Sequence, residues 1–591
     1  MSLLQQQSFA FDPAADAMGA FRNAKVLAHR LAESSPDPDR LAIARSFCAA
    51  MLKSYWREKC VALGVNWSVF EAPFVEQQLN TDALYLAESL GSIAACVEDL
   101  AAGYLLGTVY TSMLPSNLRA QWGSFYTPPP YVERLLDQAE AAGVDWATGS
   151  AADPACGGGA FLASIAMRMW KASDRGDAVA VLADVCDRLK GFELDPFAAW
   201  MSHVILEATL LPLCVAARRR VPFLIEVGDS LLISDEAQFD LVVGNPPYGK
   251  LKLPDAVRAK FSRTLYGHAN LYGLFTELGV RLCKRGGVVA FVTPTSFLGG
   301  QYFKALREFL LVEAPPMFID FVSGRDGVFD DVLQETMLTV YVKGGQASDV
   351  AVCALEADPD GVVATSEIGR RNIDSLSGPW LIARSASHGS IIEKMSSMTL
   401  RLADYGYSVS TGPLVWNRHK DQLRHLADAT TYPLVWAESV SMGEFTFSAK
   451  KRNHAPYIAP REDQGHLVLN EEAVLVQRTT SKEQSRRLIC AVIDRDFIRL
   501  TNGVVVENHL NIVKAMATTE VKPTTIARVL NSRAVDEAFR CISGSVAVSA
   551  YELNALPLPG HADMLALQLL VEQQASEQLI EKRLCRIYGV E

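Results

Sequence analysis

The apolar positions along the chain fall into two kinds of pattern. Over about residues 12–115 they recur at helical spacing, as in Phe21-Arg22-Asn23-Ala24-Lys25-Val26-Leu27-Ala28-His29-Arg30-Leu31. Ser34-Ser35-Pro36-Asp37-Pro38-Asp39 ends that helix and caps the next, which runs toward Trp56. Asn80-Thr81-Asp82 opens another, with Leu86 and Leu90 four apart on one face. From about 116 to 345, short apolar runs alternate with helical stretches. Leu189–Pro196, Leu241–Val243, Val288–Pro294 and Met337–Val342 read as strands. Val132–Ala142, Phe197–Leu210, a segment reaching Leu282, and Ser296–Leu310 read as helices. This alternation predicts an α/β fold on a doubly wound, mostly parallel sheet, which binds ligands at the carboxyl ends of its strands.

Beyond that the pattern loosens. Residues 346–395 read as linker and peripheral structure. The stretch from about 400 to 500 is richer in Trp, Tyr, Thr and basic residues, and Ala562–Ile587 reads as one long amphipathic helix. The predicted domains are a helical N-terminal region (1–115), the α/β domain (116–345), the linker (346–395), a C-terminal α+β domain (396–562) and a closing helix (563–591).

The predicted strand ends carry the candidate chemistry. Leu241–Val243 stops at Asn245-Pro246-Pro247-Tyr248. The two prolines fix φ and remove two backbone donors, leaving a stiff loop of acceptors beside an aromatic ring. Such a loop suits a flat substrate bearing an amino group; a proline-stiffened turn after a core strand is the plainer reading of the same residues. Asp153-Pro154-Ala155-Cys156-Gly157-Gly158-Gly159 opens a helix through Met169. Its glycines allow close backbone approach to a ligand, or simply make a turn. The run is neither a dinucleotide nor a triphosphate fingerprint. Glu193, at a strand end one βαβ unit later, lies where α/β folds hold ribose hydroxyls, and Asp229 ends a further strand.

Composition narrows the classes. The 591 residues carry a net charge of −11, which opposes a non-specific nucleic-acid binder but leaves room for a local basic face. Residues 400–500 alone carry about +2. Their densest basic points are Lys450-Lys451-Arg452 and Arg478 with Lys482; these are solvated loops or phosphate contacts. The eleven cysteines are scattered, with no Cys-x-x-Cys pair and no Cys/His cluster at zinc spacing. Buried thiols in a reducing cytoplasm and no metal are expected. No signal peptide or apolar run of membrane-spanning length is read, so no membrane partner is expected.

Taken in order, these stretches resemble the S-adenosylmethionine-dependent DNA adenine-N6 methyltransferases of the gamma motif order, typical of bacterial type II restriction-modification systems. Phe125-Tyr126-Thr127-Pro128-Pro129 looks like the motif before the catalytic core, and Asp153 to Gly159 like the first cofactor motif. Phe192-Glu193-Leu194-Asp195-Pro196 is similar to the ribose motif, Gly228-Asp229 to the adenine motif and Asn245–Tyr248 to the catalytic motif. Phe329 with Val332-Leu333-Gln334-Glu335 looks like the motif that helps hold an extruded base. A weaker resemblance, to DNA target-recognition domains, rests on Gly503-Val504-Val505-Val506-Glu507-Asn508-His509, Leu530-Asn531-Ser532 and Leu553–Pro559.

The resemblance implies a Rossmann-like methyltransferase sheet of seven strands, one antiparallel, with S-adenosylmethionine as cofactor and double-stranded DNA as substrate. It implies that Tyr126, Thr127, Asp153, Ala155, Gly157, Gly159, Glu193, Asp229 and Asn245 bind the cofactor. Asn245, Pro246, Pro247, Tyr248 and Phe329 would act on the base. Lys250, Lys450, Lys451, Arg452, Arg478 and Lys482 are candidate DNA contacts, a solvated lysine being the plainer reading of Lys250. A cognate endonuclease would be encoded separately. The rival readings are methylation of a protein glutamine or an RNA base through the same Asn-Pro-Pro-Tyr, and a non-catalytic component of a phage-defence complex. The recognition-like tail favours DNA, and the intact Asp229 and Asn245–Tyr248 favour an enzyme.

Overall fold

The structure, a computed structural model, describes residues 13–590 apart from Glu76, 123–125, Arg175, 234–236, 324–334, 358–361, 374–377, 480–485 and 543–546. Phe329, Val332, Leu333, Gln334 and Lys482 therefore lie outside the described residues, as does the backbone of Phe125. The chain divides into two compact units. One comprises Met1–Thr293, Glu308–Val350 and Leu355–Thr365; the other comprises Pro294–Arg307, Ala351–Ala354 and Ser366–Glu591.

The first unit is built on a sheet whose strands are β1 (Ala151–Asp153), β2 (Leu189–Glu193), β3 (Ile225–Val227), β4 (Phe239–Gly244), β5 (Cys283–Pro294), β6 (Pro316–Ser323) and β7 (Thr336–Val342). Two more, β8 (Val350–Ala357) and β9 (Val363–Arg371), extend one edge, giving the order β9-β8-β6-β7-β5-β4-β1-β2-β3. The sheet thus has nine strands rather than seven, and the stretch read as a linker supplies the extra two. The expected antiparallel element is present, since β6 and β7 pair antiparallel. Pairing is parallel from β3 through β2, β1 and β4 to β5. Leu241, Val242 and Val243 are fully buried, as a strand covered on both faces requires. Residues 284–287 form an irregularity inside β5: Cys283 faces Phe239, and Val288 faces Leu241.

Strand order places the site. The chain runs outward from β1 through β2 to β3, then returns to the other side of β1 with β4. The order reverses between β1 and β4, and open α/β sheets bind ligands at such a switch point. Asp153 ends β1, and Asn245 follows β4.

Helices α1 (Pro13–Glu33), α2 (Asp37–Ala62), α3 (Thr81–Ala95) and α4 (Asp99–Met113) make up the N-terminal region. The Asn80 side chain accepts from the Ala83 N–H and caps α3, as its position in the sequence predicts. These helices share one apolar core with the helix after β2, Pro196–Thr209: Phe47, Leu52, Leu106 and Val109 pack in the same cluster as Phe197, Met201 and Ile205.

The second unit holds a four-stranded antiparallel sheet in the order Tyr407–Thr411, Leu510–Ala515, Ala473–Gln477, Cys490–Ile493. It also holds a five-stranded sheet and a helical end. Two helices expected as continuous are broken. Ser296–Leu310 is a short helix, a 3-10 turn and Lys304–Glu313, interrupted at Gly299-Gly300, where two poor helix formers adjoin. The Arg307 guanidinium donates to the carbonyls of Phe297 and Gly300 freed there. Ala562–Ile587 is two helices, His561–Glu572 and Glu577–Tyr588; Gln574 is left-handed and Ser576 caps the second.

No single helix among the described residues is long and apolar enough to cross a membrane. A bent pair, Pro196–Thr209 with Leu211–Ala217, passes on composition, but its residues are almost all buried in the unit's own cores.

Candidate active site

A cavity of about 260 Å³ opens at the switch point. Tyr126, Thr127, Asp153, Ala155, Gly157, Glu193, Asp229 and Asn245 all lie on its wall. These are eight of the nine residues that the sequence nominates for a cofactor, gathered from four strand ends and the segment before α5 (Pro129–Ala141). The ninth, Gly159, sits behind the wall: a Cβ there would lie 2.4 Å from the Ser202 Oγ. Its lack of a side chain serves packing of the loop against the helix Pro196–Thr209.

Backbone donors hold the three acids. Asp153 Oδ1 accepts from the Ala155 N–H at 3.0 Å. Glu193 accepts from Gly157 N–H at 2.8 Å and from Asp195 N–H at 2.9 Å. Asp229 accepts from Leu231 N–H at 3.0 Å and caps the turn that follows. Ser230 next to it donates to the Pro154 carbonyl at 2.6 Å, tying the loop after β3 to the glycine loop. Among the described residues none of the three acids is in an ion pair.

The charge state follows from that. Burial pushes the Asp153 carboxyl up to about 8, the Ala155 N–H opposing it and the nearby Glu193 charge adding to it. Burial likewise raises Glu193 to about 7 against its two backbone hydrogen bonds. Asp153 is thus largely protonated near neutral pH and Glu193 partly so. A ligand that brings positive charge to the cavity would favour their ionised forms.

Close approach shapes the rest. A Cβ on Gly244, the residue before Asn245, would lie 2.6 Å from Asp153 Oδ1, so the Asp153 carboxyl fits against the end of β4 because that position is glycine. At Gly158 a Cβ would lie 2.1 Å from the Tyr126 ring. The ring thus lies directly on the glycine loop.

In the acceptor loop, Asn245 and Pro247 reach the cavity, whereas Pro246 is buried. Tyr248 does not line the cavity. Its hydroxyl donates to Asn245 Oδ1 at 2.8 Å and lies 3.4 Å from the Val292 carbonyl, and its ring meets Tyr272 edge-on. Burial holds that hydroxyl far above its ordinary pKa, so it remains a donor. The cavity also has apolar walls, Leu251, Leu271 and Phe275, which nothing in the sequence distinguished from core residues.

In the second unit, Lys450, Lys451 and Arg452 are exposed. Their loop is pinned by the Glu438 carboxylate, which accepts from the Lys450 N–H at 2.7 Å and lies 3.2 Å from the His454 ring nitrogen. His454 in turn stacks on Trp436 at 3.8 Å. Arg478 is half-buried and spends its guanidinium on the Asn508 carbonyl, a structural use. Glu507 is fully buried and accepts from both the backbone and the ring of His509. Lys250 opens a short strand paired with Asn270. No group of three or more His, Cys, Asp or Glu side chains able to hold a metal occurs among the described residues.

The fold is methyltransferase-like: a large mixed sheet with helices, antiparallel at the β6–β7 pair, and a cavity at its switch point. Comparison with known proteins agrees. Residues 215–329 match the family model described as Eco57I restriction-modification methylase. The chain is 26% identical over 403 residues to the type II methyltransferase M.BsuBI of Bacillus subtilis, covering 66% of this chain and 75% of that one. It is 27% identical over 349 residues to the type II methyltransferase M.PstI of Providencia stuartii, covering 56% and 67%. A solved structure of the type IIL restriction-modification enzyme MmeI in complex with DNA covers 98% of this chain and 96% of that one, with a TM-score of 0.55 and 13% identity; the likeness there is one of fold. The chain is thus similar to type II restriction-modification methyltransferases.

Proposed function

We propose that this protein transfers a methyl group from S-adenosylmethionine to the N6 amine of adenine in duplex DNA. In this reading it protects host DNA from a separately encoded endonuclease. The observation that carries the reading is the cavity itself. It joins unpaired acids at three strand ends to the acceptor loop Asn245–Tyr248, in a chain related to type II methyltransferases.

Glu193 would hold the ribose hydroxyls, Asp229 the adenine amine of the cofactor, and Asp153 with Thr127 the methionine end. S-adenosylmethionine bound there supplies an electrophilic methyl group. The target amine lies inside the DNA stack with its lone pair delocalised into the ring, so the base must leave the duplex, at about a few kcal/mol. Asn245 Oδ1 and the Pro246 carbonyl then accept its two N–H bonds. This localises the lone pair on nitrogen and aims it along the line of transfer. No base is needed beforehand, because the proton leaves afterwards. Tyr248 has a double part. Its hydroxyl donates to one lone pair of Asn245 Oδ1 in the structure, leaving the other for the substrate amine, and its ring stacks on the base. Phe329, by resemblance, supplies the second wall. Lys450, Lys451 and Arg452 contact DNA phosphates.

Tritiated S-adenosylmethionine offered with duplex DNA, ribosomal RNA and protein tests the choice of acceptor. The label should enter DNA, as N6-methyladenine. Label in RNA or in glutamine moves the site to a different acceptor, and no transfer to any of the three contradicts an enzyme.

A further inference from the structure

The N-terminal helices do more than cover the sheet. On α4, Gly107 and Tyr110 are three residues apart and so share a face. A Cβ on Gly107 would lie 2.8 Å from the Tyr126 ring, the same ring that Gly158 admits from the other side. Three residues along, the Tyr110 hydroxyl donates to Asp195 Oδ2 at 2.6 Å. From α2, Arg45 donates to the other oxygen, Asp195 Oδ1, at 3.0 Å. Asp195 is nearly fully buried, and the same Oδ1 accepts from Phe197 N–H to cap the helix Pro196–Thr209. Both carboxylate oxygens are thus fixed. The backbone N–H of Asp195 is the group that donates to Glu193 Oε1 on the cavity wall.

We propose that Arg45 and Tyr110 are positioning residues of the cofactor site. They fix the Asp195 carboxylate, and with it the backbone N–H that aims Glu193 at the cofactor's ribose. The N-terminal region then has a defined role: it supplies the outer layer of the ribose subsite, and α4 also supplies the seat of Tyr126. The inference rests on the proposed cofactor site. A plain tertiary ion pair predicts loss of thermal stability and nothing specific to the cofactor. A positioning role predicts weaker cofactor binding with the chemical step intact, because neither side chain meets the reacting groups.

The test uses the full-length chain, with Tyr110→Phe, Arg45→Met and Arg45→Lys. Calorimetry measures the Kd for S-adenosylmethionine, and steady-state kinetics on duplex DNA separate KM from kcat. Arg45→Met should weaken cofactor binding about tenfold and Tyr110→Phe about threefold, with partial recovery in Arg45→Lys. The kcat at saturating cofactor and the KM for DNA should stay within about twofold of wild type. Tyr110→Phe removes a single oxygen, so it keeps the test open if Arg45→Met does not fold. Wild-type cofactor affinity in Tyr110→Phe and in a folded Arg45 variant overturns the inference, as does a fall in kcat with unchanged KM. If the wild-type chain itself binds no S-adenosylmethionine, the proposed function fails first and the inference falls with it. If it binds and the variants bind equally well, only the inference is lost.

Discussion

Two sets of acidic residues, one in each unit, serve opposite ends. In the first, Asp153, Glu193 and Asp229 are held by backbone N–H groups alone, and two of them sit well above ordinary carboxylate pKa values. In the second, Glu438 and Glu507 each face a histidine and fix a polar loop, leaving neighbouring basic side chains exposed. Acids with no side-chain partner mark a place where charge is to be brought in; acids hydrogen-bonded to a ring and to backbone mark a place where structure is being held. Under the proposed function the first set belongs to a site for a small cationic ligand, and the second to a scaffold presenting positive charge to a larger, anionic partner.

The largest expected effect separates the acceptor loop from both. Asn245→Ala removes the acceptor for the amine and should lower methyl transfer about 10²- to 10³-fold, while cofactor affinity stays within about twofold. Rapid-quench transfer and calorimetry together decide it; a variant of ordinary activity breaks the role given to the loop. Asp229→Ala should act the other way round, weakening S-adenosylmethionine binding about tenfold or more and sparing the chemical step at saturation. An unchanged Kd would remove Asp229 from the cofactor site.

The raised acids give a pH test. In the proposed site Asp153 meets the cationic methionine end and Glu193 accepts from the ribose hydroxyls, both as carboxylates, so S-adenosylmethionine should bind more tightly as pH rises through about 7 to 8, with net proton release. Calorimetry in two buffers of different ionisation heat reads the release directly; affinity that falls over the same range contradicts the assignment. The stability of the free protein should run in the opposite sense. These folded-state pKa values lie above those of the unfolded chain, so the stabilisation is complete below about pH 4 and is lost as pH rises through about 7 to 8. Bound cofactor should flatten that decline in thermal-melting scans.

The smallest effect belongs to the second unit. Replacing Lys450, Lys451 and Arg452 together by Ala should weaken DNA binding and reduce the slope of log affinity against log salt by up to about 3, without touching cofactor affinity. An unchanged slope would make the loop mere solvated surface and dissolve the contrast drawn between the units.

The cavity was legible in the sequence because its residues sit where patterns change. Asp153, Glu193, Asp229 and Asn245 each end an apolar run, and the parallel order of β1 to β4 then brings strand ends together. What escaped reading has physical reasons. Strand β9 carries Thr365, Ser366, Glu367 and Arg370, with no fully buried position, so it lacks the apolar run that marks a central strand. The helix breaks at Gly299-Gly300 and before Ser576 were signalled, but each lies inside a longer amphipathic pattern that masks it. Arg45 and Tyr110 reach Asp195 across 150 and 85 residues, and no local spacing reports such a contact. Phe275 and Leu271 line the cavity with side chains chemically the same as those of the core. Tyr248 was identifiable by its place after the two prolines, but its hydrogen bond to Asn245 was not.

The most direct test of the central claim reads the DNA itself. Genomic DNA from a methylation-free host expressing the wild-type chain, sequenced by a long-read method sensitive to base modification, should carry N6-methyladenine at one short recurring motif. DNA from a host expressing Asn245→Ala should carry none. Unmodified DNA from the wild-type host, or the same modification from the Asn245→Ala host, would contradict the account.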